Sequence, residues 1–264
     1  MKIITLLLLM AITFLSSHAQ KLPNVQQVGL RAPANVEVDG KANEWGIKLQ
    51  AHNTATDVYY TIANDDKKLY LIIQASGSLI TNIANGGIRL AIQKTGRKND
   101  AEAPFVKYPY LEKGKRILIN TGDFNGGADT TVMRYNKQLT TNAKWIYTKG
   151  FNGVDSLLSV YNDSGIAAAG TFNNEMKYTL EMAVDLSLLG LSFNQVSKFS
   201  YHFTINGEPN SYSHTNPLNL MKRVISNNNW PVTEKSIQNM EAFENFLNKW
   251  AAPTDFWGEY TLAK

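Results

Sequence analysis

The chain reads as a mainly β protein, an immunoglobulin-like or jelly-roll-type antiparallel β-sandwich with a helical insertion near its C-terminus. Three observations carry that expectation. Short runs rich in Val, Ile, Thr, Tyr and Phe recur between Gly, Asn and Asp clusters from Val58 to Ile205, and regularly spaced short strands are the signature of a sandwich. Val58 to Ala63 and Leu69 to Gln74 flank the turn-forming cluster Asn64-Asp65-Asp66-Lys67-Lys68, the pattern of an antiparallel hairpin. Only from Thr233 onward do apolar residues change period, with Ile237, Met240, Phe243, Leu247 and Trp250 at helical spacing.

The first residues stand apart from this pattern. Lys2, the apolar run Ile3 to Leu15 and the small-x-small Ser17-His18-Ala19 form a secretory signal peptide over 1–19, with the mature chain starting at Gln20. The apolar run is shorter than the roughly 20 residues that a membrane-spanning helix needs. Residues 20–264 are expected to form one domain. The chain has no cysteine, which excludes disulfides and a cysteine-borne lipid anchor. These features predict a secreted or periplasmic bacterial protein with no transmembrane segment after cleavage. Loss of Lys2 leaves 25 basic against 22 acidic residues. The basic groups fall in short clusters, Lys94 to Lys98 and Lys113 to Arg116, without the stripe that follows a phosphate backbone, so nucleic acid is not an expected partner.

Taken in order, Val25 to Leu30 is a short β-like patch between two prolines, an edge strand or an ordered arm. Val36 and Val38 alternate into the Asp39-Gly40 turn, with Glu44-Trp45 at its exit. Trp45 reads as a core or sheet-edge ring. After the hairpin, Ser76 to Gly87 loosens into Gly, Ser and Asn, and Ile88 to Ile92 is the next strand. Asn99 to Lys115 is expected to be a long loop over one end of the sandwich, carrying Phe105, Tyr108 and Tyr110. Thr131 to Tyr135, Lys144 to Thr148, Val154 to Tyr161 and Ile166 to Phe172 read as further strands. Tyr178 to Val184 alternates regularly, Asp185 to Gly190 is a capped helical turn, and Phe199 to Ile205 is another strand. The β pattern then breaks for the 208–252 insertion, where Thr233 caps the longer helix and Pro253 stops it. Phe256 to Leu262 is the closing strand.

Two stretches carry a family likeness. Val36-Glu37-Val38-Asp39-Gly40-Lys41-Ala42-Asn43-Glu44-Trp45 with Ile62-Ala63-Asn64-Asp65-Asp66-Lys67-Lys68-Leu69-Tyr70, and later the strand and leucine-rich turn Tyr178 to Gly190, resemble family-nine carbohydrate-binding modules and their DOMON-like relatives. The resemblance implies a sandwich and a non-catalytic exported binding module for a carbohydrate or another small polar ligand at a sandwich end. Sugar-binding members carry a Trp just ahead of the strand at Ile88 and an acidic residue within it. Here Ile83 or Ala84 stands near the first position and Arg89 at the second, so the aromatic platform must come from elsewhere. The candidate rings are Tyr108, Tyr110, Trp145 and Trp230, with Arg89 and Asn85 as polar partners. A structural or protein-interaction role, with the 208–252 insertion as docking surface, is the alternative.

Other chemistry is sparse. Asp123, Asn125 and Asp129 place oxygen ligands along a glycine-rich turn, as calcium loops do, yet Gly127 takes one ligand position and Arg134 stands where a bidentate glutamate belongs. An Asx-rich turn is the expected reading, with structural calcium as the alternative, and no other cofactor is expected. His52, His202 and His214 lack metal-ligand spacing. Met133, Met176 and Met182 could serve with them as axial haem ligands, but no spacing singles out a pair. No nucleophile elbow, phosphate loop or dinucleotide fingerprint occurs. Glu181 and Glu259, on predicted strands, are the carboxylates that could meet across a cleft as in a glycosidase, and each otherwise reads as a solvent-facing strand residue. No enzyme is expected.

Overall fold

The computed structural model describes residues 21–46, 49–120, 122–123, 129–194, 197–205, 233–235, 238 and 252–264. The signal segment, Trp230, His214, Asn125 and nearly all of the 208–252 insertion lie outside them.

Two antiparallel sheets form a sandwich. Strands β1 (Ala51–Asn53), β2 (Val58–Asn64), β3 (Lys68–Ala75), β9 (Tyr178–Asp185) and β8 (Ile166–Phe172) make a five-stranded sheet in the order β1-β2-β3-β9-β8. The second sheet has six strands in the order β11-β10-β4-β5-β6-β7: β4 (Ile88–Gln93), β5 (Phe105–Tyr110), β6 (Trp145–Lys149), β7 (Leu157–Ser159), β10 (Lys198–Ile205) and β11 (Thr254–Thr261). The expected hairpin is β2 and β3, in register from Tyr59 opposite Gln74 to Asn64 opposite Leu69. Its turn is set by Asp65, whose Oδ1 accepts the backbone N–H of Lys67 at 2.7 Å and of Lys68 at 2.6 Å, an Asx turn that fixes the strand register.

The inner faces meet in one apolar core. Tyr60, Ile62, Leu71 and Ile73 from one sheet face Leu90, Val106, Tyr201 and Phe203 from the other, all of them buried. The hydroxyls of Tyr60 and Tyr201 lie 2.8 Å apart across the layers, and Tyr60 Oη also accepts Gln26 N–H at 3.0 Å. These polar tips therefore keep partners inside an apolar layer, as buried hydroxyls must.

Four expected elements take another form. Leu79–Gly86, expected as a loose connection, is helix α1. Its Gly, Ser and Asn content conceals a buried face of Ile80, Ile83 and Ala84. Phe105–Tyr110, expected in a long loop, is strand β5 between β4 and β6. Its register shifts between Lys107 and Tyr110, where Pro109 has no N–H to donate. Thr131 to Tyr135, expected as a strand, belongs to helix α2 (Asp129–Asn142). Val132, Tyr135 and Leu139 repeat on its buried face, and that tertiary packing outweighs the β preference of a Thr-Val-Met-Arg-Tyr run. Val36 and Val38 form no strand, while Val25 to Leu30 is the ordered arm of the two expected alternatives.

The N-terminal segment instead serves the five-stranded sheet. Beyond the short β1, the open edge of β2 is satisfied by the Gln26 amide, which donates to Ile62 O and accepts Ile62 N–H, both at 2.8 Å. Leu30 O accepts Asn64 N–H at 3.0 Å, and Ala32 N–H donates to Asn64 O at 2.9 Å. Capping an edge in this way removes a template for intermolecular pairing. Further along, the Asp39-Gly40 turn and Trp45 lie on the outer face of the same sheet over Glu181. That residue is 1% exposed, which overturns the expectation of a solvent-facing strand residue. Gly40 has φ of +81°, and a Cβ there would lie 2.8 Å from the Gly170 carbonyl carbon on β8. Only glycine permits both that conformation and that approach.

Candidate functional site

A cavity of about 490 Å³ opens at one end of the sandwich, where β5 leaves the six-stranded sheet and β6 enters it. Three segments line it. Helix α1 contributes Thr81, the chain between β5 and α2 contributes Arg116 to Asn120 and Asp123, and α2 contributes Arg134, Tyr135 and Gln138. The α2 residues occur there because helical spacing puts Arg134 and Gln138 one turn apart on one face while the neighbouring Tyr135 turns inward.

Side chains hold the 116–120 wall in place. Gln138 binds the Leu118 backbone twice, accepting its N–H at 2.7 Å and donating to its carbonyl at 3.3 Å. Asn85 does the same for Ile117, accepting N–H at 2.8 Å and donating to O at 3.1 Å. Tyr135 Oη accepts Asn120 N–H at 2.8 Å and donates to Asp123 Oδ2 at 2.6 Å. Burial, reinforced by that bond to Asp123, raises the Tyr135 hydroxyl above its ordinary value, so it stays a donor. Arg134 Nη2 reaches the same Asp123 oxygen at 3.0 Å, with its guanidinium carbon 5.0 Å from the Tyr135 ring centre.

The expected binding residues divide among three places. Tyr108 is 4% exposed and donates to Ala143 O at 3.3 Å; it is a core residue, corrected from an exposed loop ring because β5 turns it inward. Asn85, 3% exposed, is spent on Thr81 O and the Ile117 backbone, so it supports the cavity wall. Tyr110, Trp145 and Arg89 come together on the outer face of the six-stranded sheet.

That face carries a ladder of rings. Trp257 stacks on His202 at 4.3 Å, and His202 Nδ1 lies 2.8 Å from Asp100 Oδ2. Asp100 also pairs with Arg89. The Arg89 guanidinium covers the Phe105 ring at 4.1 Å, Phe105 meets Tyr147 at 5.7 Å, and Tyr147 stacks on Tyr110 at 5.3 Å. Trp145, opposite Tyr110 in the ladder of strands, donates from Nε1 to Glu112 at 2.9 Å. Phe105, Tyr110 and Tyr147 contact one another, and Arg89 covers Phe105. They brace neighbouring strands.

The remaining candidates are held by other contacts. The Asp123 carboxylate accepts from Arg134 and Tyr135, a cationic setting at odds with a calcium ligand, and Asp129 stands exposed at the start of α2. Among the described residues no cluster of three or more His, Cys, Asp or Glu residues could hold a metal ion. Met176 and Met182 are core residues, and Met133 is 70% exposed on α2. His52 pairs with Asp57 at 2.9 Å and stacks on Tyr59 at 4.1 Å. Glu181 and Glu259 do not meet: the first is on β9 of one sheet, and the second is on β11 of the other, paired with Lys198 at 2.7 Å.

Thr81, Tyr135 and Gln138 carry no motif that marks them as site residues in the sequence, and Arg134 stands out there only as the residue in place of a calcium-loop glutamate. The available signal was the Val132, Tyr135, Leu139 spacing, which marks a helix and places Arg134 and Gln138 together.

No protein-family model and no curated protein matches the chain. Among solved structures it is similar to a carbohydrate-binding module of family 9 from Caldicellulosiruptor kristjanssonii, determined in complex with glucose. The likeness covers 70% of this chain and 80% of that one, at 10% identity and a TM-score of 0.32. No residue of this chain takes a role from it.

No described helix is long and apolar enough to cross a membrane.

Proposed function

We propose that the chain is a non-catalytic, exported binding module whose ligand, a carbohydrate or another small polar molecule, lodges in the sandwich-end cavity. The observation that carries this reading is the convergence of guanidinium, carboxylate, amide and phenol groups from three segments around about 490 Å³. Ligand pockets of roughly 300 to 1,000 Å³ with a few convergent polar groups are the usual form of a small-molecule site. The wall contacts made by Asn85, Tyr135 and Gln138, those of Asn85 buried, hold that arrangement before a ligand arrives, which lowers the ordering cost of binding.

The test is calorimetric titration of residues 20–264 with a panel of mono- and oligosaccharides, alongside the Arg134→Ala variant. Arg134 is 59% exposed at its side chain, so the variant should melt close to the parent while losing affinity about tenfold or more. Absence of binding across the panel, or unchanged affinity in Arg134→Ala, sinks the cavity reading. Export through residues 1–19 belongs to the same proposal, and an intact mass starting at Gln20 in the exported fraction checks it.

A second reading, a protein-docking surface, draws on Leu118 and Met133, which are 69% and 70% exposed on the cavity segment and on α2. Each is a large apolar side chain left to solvent, of the kind a protein partner could cover. Loss of a captured partner on Leu118→Ser with Met133→Ser, with saccharide binding absent, would favour it.

A further inference from the structure

We infer that Lys107, on the outer face of the six-stranded sheet, is a selectively reactive amine and a covalent modification site for small aldehydes; the inference is independent of the cavity reading. Lys107 lies within β5, opposite Arg89 of β4 on one side and Tyr147 of β6 on the other. Residues directly opposite share a sheet face, so its side chain starts between these two neighbours. Its stem then packs on backbone: a Cβ on Gly87, just ahead of β4, would lie 3.1 Å from Lys107 Cε.

No counter-ion reaches it. The carboxylates on or beside this face are engaged elsewhere: Asp100 with Arg89 and His202, Asp255 beside His202 Nε2 at 3.4 Å, Glu259 with Lys198, and Glu112 with the Trp145 indole. Arg89 turns its own charge to Asp100 and over the Phe105 ring. The Lys107 ammonium therefore gives up hydration without gaining a carboxylate, and burial alone lowers its pKa below the ordinary lysine value. The residue is only partly buried, which leaves a small reagent access. A lysine desolvated in this way is a nucleophilic amine. By contrast, Lys41, Lys68, Lys177 and Lys198 have carboxylate partners, and Lys149, on the same face, is exposed. In the reaction the neutral Nζ adds its lone pair to the aldehyde carbon. A C–N bond forms, both amine protons pass to the carbonyl oxygen, which leaves as water, and an imine remains.

The deciding experiment treats residues 20–264 at neutral pH with limiting pyridoxal and cyanoborohydride, which delivers hydride to the imine carbon and fixes the label as a secondary amine. Peptide mass mapping over time should show Lys107 labelled about tenfold faster than Lys149. That advantage should vanish in urea, where the stem is hydrated and the two lysines become alike. Lys107→Arg should remove the fast label and leave the rates at the other lysines unchanged. Labelling of Lys107 no faster than Lys149 in the folded chain, a fast label that survives in Lys107→Arg, or an advantage that persists in urea overturns the inference.

Discussion

The indole N–H of Trp45 donates to Oε1 of Glu181 at 2.6 Å, joining residues 136 positions apart in the chain. The other oxygen, Oε2, accepts the backbone N–H of Asp39 at 3.0 Å and of Gly40 at 2.8 Å. One buried carboxylate on β9 thus clamps the Asp-Gly turn and the tryptophan after it onto the outer face of the five-stranded sheet. Trp45 also meets Tyr70 edge-on at 6.2 Å, adding an aromatic contact to the clamp.

Removing the clamp should loosen the fold. Glu181→Ala leaves the three N–H donors without their acceptor and should lower unfolding stability by about 3 kcal/mol. Trp45→Phe keeps a ring and loses one charge-assisted bond, so a smaller loss of about 1.5 kcal/mol is expected. Urea unfolding measures both, and a loss below about 0.5 kcal/mol in Glu181→Ala would show that the clamp contributes little.

Stability should also depend on pH through this residue. Burial pushes the Glu181 carboxyl up to about 7 from its ordinary 4.5, against the opposing pull of the Trp45, Gly40 and Asp39 donors. A raised acid binds more protons folded than unfolded, so its contribution is greatest below 4.5, falls as pH rises toward 7 and is flat above. Melting temperatures of Glu181→Gln and the parent, compared across that window, should show a pH-dependent difference. Parallel curves would place the folded carboxyl at an ordinary value.

The ring ladder should matter for stability and not for cavity binding. Tyr147 touches both Phe105 and Tyr110, and Tyr147→Ala is expected to cost about 2 to 3 kcal/mol through lost burial and ring contacts. Tyr110→Ala should cost less, since it removes the end of that stack. Saccharide affinity measured on the folded variants should match the parent. Loss of binding with stability intact would put the ligand on this sheet face.

Asp123 is expected to act as an acceptor for Tyr135 and Arg134 and not as a calcium ligand. Asp123→Ala should lower the melting temperature by a few degrees, through one buried-side hydrogen bond worth about 1 to 2 kcal/mol. Chelator should leave the melting temperature of the parent unchanged. A marked drop on chelation that Asp123→Ala abolishes would establish the metal site.

The sequence by itself determined the elements whose signal is local. The β2–β3 hairpin follows from strand formers on either side of an Asp65-centred turn, Ile166–Phe172 falls at the expected boundaries, and the alternation of Tyr178 to Val184 gives β9. Period-two patterning and turn chemistry act within a few residues, so they are legible without the fold. Only the tertiary structure decided the rest. Thr131 to Tyr135 has strand-like residues and is helical because Val132, Tyr135 and Leu139 pack inward. Tyr108 and Tyr110, two residues apart, separate into core and surface because β5 lies inside a sheet and is irregular at Pro109. Glu181 reads as an outward strand position and is buried because a turn from 141 residues earlier covers it. The cavity likewise joins α1, the 116–123 segment and α2, whose meeting depends on helix packing at the sandwich end and has no local sequence signal.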